Sequence, residues 1–389
     1  MPIFDKLKSK LDTYSSQAQQ KYFPGQHHNA PPPPIPQQSG TRMVWPPKLL
    51  QPPTVLGEVR DTSNRKINRD GGRSIRFNGR LYYMFGDTFC FDHSDDFKGV
   101  ANNTIASIPD PSDPTKSHYW DGKMLTDNFV PHTPAEAQEC EEGKKDNRRL
   151  VNWVFGGVVE REDGGWLWFD KIRTEGAAAT KCFGMGVAKV LAKDDGTLTC
   201  ERVDGENMVF GEHEPRFFSI TAYPHTDGYV YGFGSLGNEL GNKLARVPIN
   251  ADFTQRSSYE FFAKGGASWV KDFQDPNADL EDVIAGMSQG GILYMPDHGP
   301  AGKPFVWFGV NKFMSGDFYV GAAERIEGPY DIHEIGHGPK IMPKSDHLYC
   351  LYPHDWASDF GNGMVCVSWS DDGELGGKVA AGRYYFEME

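Results

Sequence analysis

Five times along this chain a β-rich run, a turn or loop and a second β-rich run follow one another, and that recurrence restricts the folds open to it. The first pair is residues 74–77 and 81–85 around Asn78-Gly79, a turn whose two positions both tolerate positive φ. The second is 154–160 and 166–170 around Glu162-Asp163-Gly164-Gly165, and the third is 217–223 and 229–234 around Thr226-Asp227-Gly228. The fourth is 291–295 and 305–309; the fifth is 348–352 and 363–369. Runs at 183–191, 243–249, 317–325 and 378–386 trail most of these hairpins.

Units of three or four strands arriving at intervals of about 60–80 residues predict a β-propeller, and five units predict five blades. A β-sandwich wants about seven strands in roughly 100 residues, and residues 54–389 run to over three times that length. The composition agrees. Its 44 glycines, 27 prolines, 25 Phe, 16 Tyr and 9 Trp suit an all-β chain with many turns and a sizeable core. Residues 54–60, just ahead of the first unit, are expected to supply an outer strand that closes the ring.

The fold class is therefore all-β: a five-bladed β-propeller over 54–389, preceded by an amphipathic helix at 1–22 and a Pro-rich linker at 23–53. Within 3–22, Phe4, Leu7, Leu11, Tyr14 and Ala18 recur at spacings of three and four. That narrow seam suits a partner or a membrane surface as well as the protein's own surface. Pro31 to Pro34, Pro36, Pro46, Pro47, Pro52 and Pro53 make a semi-rigid spacer. The opening Met1-Pro2-Ile3-Phe4-Asp5-Lys6 shows no apolar core of a secretion signal, so a cytoplasmic location is expected. Cys90, Cys140, Cys182, Cys200, Cys350 and Cys366 lack CxxC spacing and are expected to be mostly reduced and buried. A formal charge of −13 argues against nucleic acid and polyanions and favours a neutral or cationic ligand.

The chemistry concentrates in the first hairpin. A two-residue loop pairs Phe77 with Arg80, and the ladder continued outward sets Asp70 opposite Asp87. Opposed residues have Cβ atoms about 4.5–5.5 Å apart. Crowding two carboxyls raises the pKa of one and leaves a proton donor beside an ionised partner. A bulge at Gly71-Gly72 would shift the pairing by one residue. In a propeller the start of each innermost strand and the end of the next share one rim of the central channel. Asp70 and Asp87 are thus expected on one mouth, with Trp153, Asp170, Lys171, Gln289, Asn311, Lys312 and His354 at comparable positions. Carboxylates, amides and an aromatic ring are what hold a sugar. With Arg73, the residues Trp153, Asp170, Lys171, Gln289, Asn311 and His354 form the expected substrate-binding set.

Asp70-Gly71-Gly72, followed after the hairpin by Phe85-Gly86-Asp87-Thr88, resembles a domain-of-unknown-function family of five-bladed propellers related to the arabinanase-like glycoside hydrolases. Supporting echoes are Asp227-Gly228-Tyr229-Val230-Tyr231, Leu244-Ala245-Arg246-Val247-Pro248, and Ala322-Ala323-Glu324 with Glu327-Gly328-Pro329-Tyr330. The likeness spans roughly residues 60–388 and leaves out the helix and linker. Some bacterial members are endo-acting D-arabinan hydrolases, so the resemblance implies glycosidase activity with Asp70 and Asp87 as the catalytic pair. Two departures stand out: bacterial members usually carry secretion signals, and here a polar insertion covers 110–149.

Rival motifs fare worse. His333-Glu334-Ile335-Gly336-His337 matches H-E-x-x-H, but zinc needs it on a helix, and Gly328-Pro329, Gly336, Gly338 and Pro339 break one. In a strand, residues four apart lie roughly 13 Å from each other, too far to share one ion. Ser370-Asp371-Asp372-Gly373 reads as a turn ending a strand. Gly184-x-Gly186 and Gly232-x-Gly234 lie in β runs with no helix after them, unlike a nucleotide loop. No Gly-x-Ser-x-Gly elbow occurs.

The sequence thus predicts a glycoside hydrolase-like enzyme acting on a furanosidic, D-arabinan-like or related neutral glycan, with no cofactor or metal. Its alternative is a non-catalytic propeller that binds a glycan or a protein.

Overall fold

The computed structural model describes residues 38–389 except 93, 95, 121–126, 177, 238, 267, 313, 346, 374 and 375. The helix expected at 1–22 and the first part of the Pro-rich stretch lie outside the described residues.

Five antiparallel sheets follow one another along the chain. Blade I is built from Ile67–Phe77, Arg80–Phe91, Phe97–Ala101 and Thr104–Ser107. Blade II holds Arg148–Trp153, Val159–Arg161, Gly164–Glu175, Ala178–Ala192 and Leu198–Arg202. Blade III is centred on Thr221–Pro224, Tyr229–Gly234 and Gly241–Pro248. Blade IV is Gln289–Tyr294, Phe305–Val310, Asp317–Ala323 and Asp331–His337. Blade V is Leu348–Asp359, Met364–Asp371 and Lys378–Tyr385, and its fourth strand is Thr54–Glu58. This is the five-bladed propeller expected. Thr54 pairs with Arg383 and Glu58 with Ala380, so the strand that enters the propeller completes the last blade and closes the ring.

Covering each sheet on both faces by its neighbours explains why the second strands read as unbroken apolar runs. Phe305–Val310 is buried at all six positions. Trp168, Trp307 and Trp369 sit in the second strands of blades II, IV and V, and each is under 2% exposed. Such rings bury about 150–250 Å² apiece and dominate the energetics of a core. Upstream of the ring, Met43 is 1% exposed and packs in the cluster containing Trp369 and Phe386.

One local expectation changes. The first strand of blade II is Arg148–Trp153 rather than a run from 154, and pairing resumes only at Val159–Arg161. In the gap the chain turns to blade III: the Gly156 carbonyl accepts the Ala222 N–H at 2.9 Å, and a β-carbon on Gly156 would meet the Phe218 carbonyl at 1.8 Å. The insertion at 110–149 contains a helix, Pro134–Gly143, with a capping box between Thr133 and Glu136, packed on blade II. His333 and His337 stand in the strand Asp331–His337, bound to Asp331 and Asp317 respectively. All six cysteines are free thiols, with Cys90, Cys350 and Cys366 buried and the other three half-buried.

Candidate active site

The hairpin ladder runs from Phe77↔Arg80 to Arg73↔Met84, departs once at Gly71↔Phe85, and resumes its original register at Arg69↔Thr88. The irregularity at Gly71-Gly72 therefore cancels itself. Gly71 (φ +82°) and Gly72 (φ +89°) take left-handed backbone, which strains any residue with a β-carbon. Blade V secures the kink. The Gly71 N–H donates to Ser370 Oγ at 2.9 Å, and Ser368 Oγ donates to the Gly72 carbonyl at 2.8 Å.

The kink turns Asp70 onto Gly86, which explains the Phe-Gly-Asp-Thr run. A β-carbon on Gly86 would lie 2.3 Å from Asp70 Oδ1 and 3.1 Å from the Phe155 ring. Phe85 carries the Arg69 guanidinium 3.7 Å above its ring centroid. Thr88 Oγ1 bonds the Gly86 carbonyl at 3.1 Å and Thr104 Oγ1 at 2.8 Å. Three neighbours thus shape the backbone that presents Asp87.

The two carboxyls have unlike surroundings. Asp70 Oδ2 accepts the Tyr349 hydroxyl at 2.9 Å, and the Asp87 backbone amide faces the same buried carboxyl. Burial, and after it the charge of Asp87, push the Asp70 carboxyl from 3.8 up to about 7. The Tyr349 hydroxyl, the Asp87 amide and Arg149 oppose the rise without cancelling it. Asp87 is instead held by donors: Arg149 makes an ion pair with Oδ2, and Trp153 Nε1 reaches Oδ1 at 3.1 Å. Arg149 is steadied by Asn102 Oδ1 at 3.0 Å. Trp153 and Phe155, with ring centroids 6.1 Å apart, form an aromatic wall beside the pair.

Of the expected substrate-binding residues, Trp153 alone contacts the carboxyl pair directly. Arg73 crosses the channel. Its Nη2 donates to the Ile220 and Gly290 carbonyls at 2.7 and 2.6 Å and to Thr221 Oγ1 at 3.1 Å, and the guanidinium lies over Tyr352. His354 is fully buried, with Ser74 Oγ at 2.6 Å from Nδ1 and no partner for Nε2 among the described residues. Burial, reinforced by Arg73, drives its pKa down to about 3, so the imidazole is neutral. Asp170 is buried and paired with Arg216 at 2.9 Å, and burial raises its pKa. Lys171 leaves the channel to pair with Glu136 of the inserted helix at 2.6 Å. Gln289 Oε1 accepts the Cys350 N–H at 3.1 Å, Asn311 bonds Tyr319 and Ser315, and Lys312 lies just past the end of Phe305–Val310.

Sequence reasoning missed Arg149, Asn102 and Tyr349. Tyr349 had a signal: it opens the first strand of the last unit, at the same rim as Asp70. Arg149 and Asn102 had none: Arg149 reaches Asp87 from the first strand of blade II, and Asn102, between the third and fourth strands of blade I, holds Arg149.

No protein-family profile matches the chain, and no curated protein matches it. Among solved structures the fold is similar to that of a putative hydrolase from Bacteroides ovatus, at 15% identity and TM-score 0.62 over 82% of this chain and 86% of that one. A GH43_1 enzyme from Xanthomonas citri complexed with xylose is 11% identical, with TM-score 0.46 over 85% of this chain and 90% of that one. A family 117 glycoside hydrolase from Zobellia galactanivorans is 12% identical, with TM-score 0.46 over 87% of this chain and 90% of that one. These are likenesses of fold.

Proposed function

We propose that the protein is a glycoside hydrolase-like enzyme that cleaves a furanosidic, D-arabinan-like or related neutral glycan at the channel mouth. The observation that carries this reading is the unlike environment of two neighbouring carboxyls. Asp70 keeps its proton up to about pH 7, while Asp87 is embedded among Arg149 and Trp153. A buried carboxyl that keeps its proton, set beside one held by donors, can divide acid and nucleophile or base work with it. Asp70 protonates the leaving glycosidic oxygen as the C–O bond breaks. As it breaks, Asp87 either attacks the anomeric carbon, giving a glycosyl ester that water hydrolyses with Asp70 now acting as base, or takes a proton from the water that attacks directly. Trp153 and Phe155 offer a face for the sugar ring. The net charge of −13 agrees with a neutral substrate.

One observation favours a binding propeller instead: both Asp87 oxygens already accept hydrogen bonds. Hydrolysis assays on nitrophenyl furanosides, nitrophenyl pyranosides and arabinans separate the two readings. For an enzyme, Asp70→Asn and Asp87→Asn each lower activity by about 10² or more while keeping the thermal midpoint of a folded protein. Anomeric product detection by NMR then tells retention from inversion. A wild type that binds oligosaccharide and hydrolyses none of them is a lectin-like propeller.

A further inference from the structure

We infer that Tyr349 is a positioning residue for Asp70, aimed at it by a left-handed bulge at Cys350 that Gln289 fastens. The inference rests on the reading of Asp70 as the acid.

In blade V, Leu348 pairs with Asp371 and Tyr349 with Ser370, but Tyr352 pairs with Ser368 and Pro353 with Val367. The first strand therefore holds one residue more than its partner between Tyr349 and Tyr352. Cys350 takes up the excess at φ +55°, a conformation that bulges of this kind normally give to glycine. It is 1% exposed, and its N–H is capped by Gln289 Oε1 from blade IV. An extra residue in a strand reverses the facing of everything on one side of it. The bulge thus decides which way Tyr349 points, and its hydroxyl meets Asp70 Oδ2 at 2.9 Å.

A second irregularity meets the first at the same height. Ser370, opposite Tyr349, holds the Gly71 N–H, and Ser368, opposite Tyr352, holds the Gly72 carbonyl. Two ladders in different blades break on facing rungs, are joined by the same two serines, and converge on one carboxyl. A side chain kept in a strained backbone well persists only where its surroundings enforce it, and such positions cluster at working sites. The groups facing Asp70 are Asp87 of its own blade, Arg149 of blade II, and Tyr349, Cys350 and Tyr352 of blade V.

The test is a carboxyl ¹³C NMR titration of aspartate-labelled full-length protein, with Asp70→Asn supplying the assignment. A hydroxyl donated to a carboxylate favours the charged form, so Tyr349→Phe should raise the Asp70 midpoint by on the order of one pH unit. Gln289→Leu should move it the same way by less. Cys350→Gly, which accepts the left-handed backbone, should leave it in place. The thermal midpoint of each variant reports folding. A folded Tyr349→Phe with an unmoved Asp70 midpoint overturns the inference, and so does a Cys350→Gly shift as large as that of Tyr349→Phe. A wild-type midpoint near the ordinary aspartate value overturns the acid role itself, and the Tyr349→Phe shift still reads the contact.

Discussion

Asp70 and Gly86 claim one space: a β-carbon on Gly86 would stand 2.3 Å from Asp70 Oδ1, closer than non-bonded atoms approach. The glycine of Phe-Gly-Asp-Thr is there for room. Gly86→Ala should push the Asp70 carboxyl off its seat. Overpacking of this sort costs about 1–3 kcal/mol of stability, and a displacement near 1 Å at a catalytic group costs about 10² in rate. The checks are a thermal midpoint and kcat/KM on the substrate found. A fully active Gly86→Ala protein would show that Asp70 is not held where the chemistry needs it.

Asp70 and His354 oppose each other in how stability depends on pH. Asp70 titrates at 3.8 when unconstrained and about 7 in the native protein. Between those values the native state holds a proton the unfolded chain has lost, so this term falls as pH rises. His354 is the reverse, at 6.5 unconstrained and about 3 folded, so its contribution falls as pH drops through that window. Each term has a limiting slope of about 1.4 kcal/mol per pH unit, and between about pH 4 and 6.5 the two offset one another. Relative to wild type, Asp70→Asn should lose stability on acidification across this range, and His354→Gln should gain it. Urea unfolding at several pH values reads both slopes; parallel curves for all three proteins would refute the assigned shifts.

Arg149 and Asp87 are coupled through an ion pair whose side chains are 29% and 17% exposed. A double-mutant cycle of Arg149→Met and Asp87→Asn should return a coupling of about 0.5–3 kcal/mol, as for residues in one network. Zero coupling would mean that Trp153 and the backbone around Gly86 suffice to hold Asp87.

Arg73 ties blade I to the innermost strands of blades III and IV through three acceptors. Arg73→Met takes the donor from the Ile220 carbonyl, while the Thr221 hydroxyl still reaches the Gly290 carbonyl at 3.2 Å; a buried group left unpaired costs about 1–3 kcal/mol. A loss of about 1–3 kcal/mol in the urea midpoint analysis is expected. Unchanged stability would mean that water replaces the guanidinium and that the channel is open.

Much of the fold was legible because it is local. Asn78-Gly79 set a hairpin register that survives the double kink at Gly71-Gly72 and still reads Arg69↔Thr88 beyond it. Period alone counted the blades, and the strand Thr54–Glu58 was placed by the need to close a ring. The partners of the carboxyls were legible only in part. Trp153 follows from rim position, whereas Arg73 and His354, at similar heights by sequence, are consumed by the channel itself.

What the sequence by itself determined, then, is the architecture and the pair Asp70 and Asp87, since both follow from alternation, turn chemistry and short-range pairing. What only tertiary structure decided is the environment that makes the two carboxyls differ. Arg149 reaches Asp87 across 62 residues and Tyr349 reaches Asp70 across 279. The first contact arises when blade II packs on blade I, the second when the ring closes and blade V meets blade I. A carboxyl's pKa responds to burial and to charges a few ångströms away, and neither is written in the residues beside it.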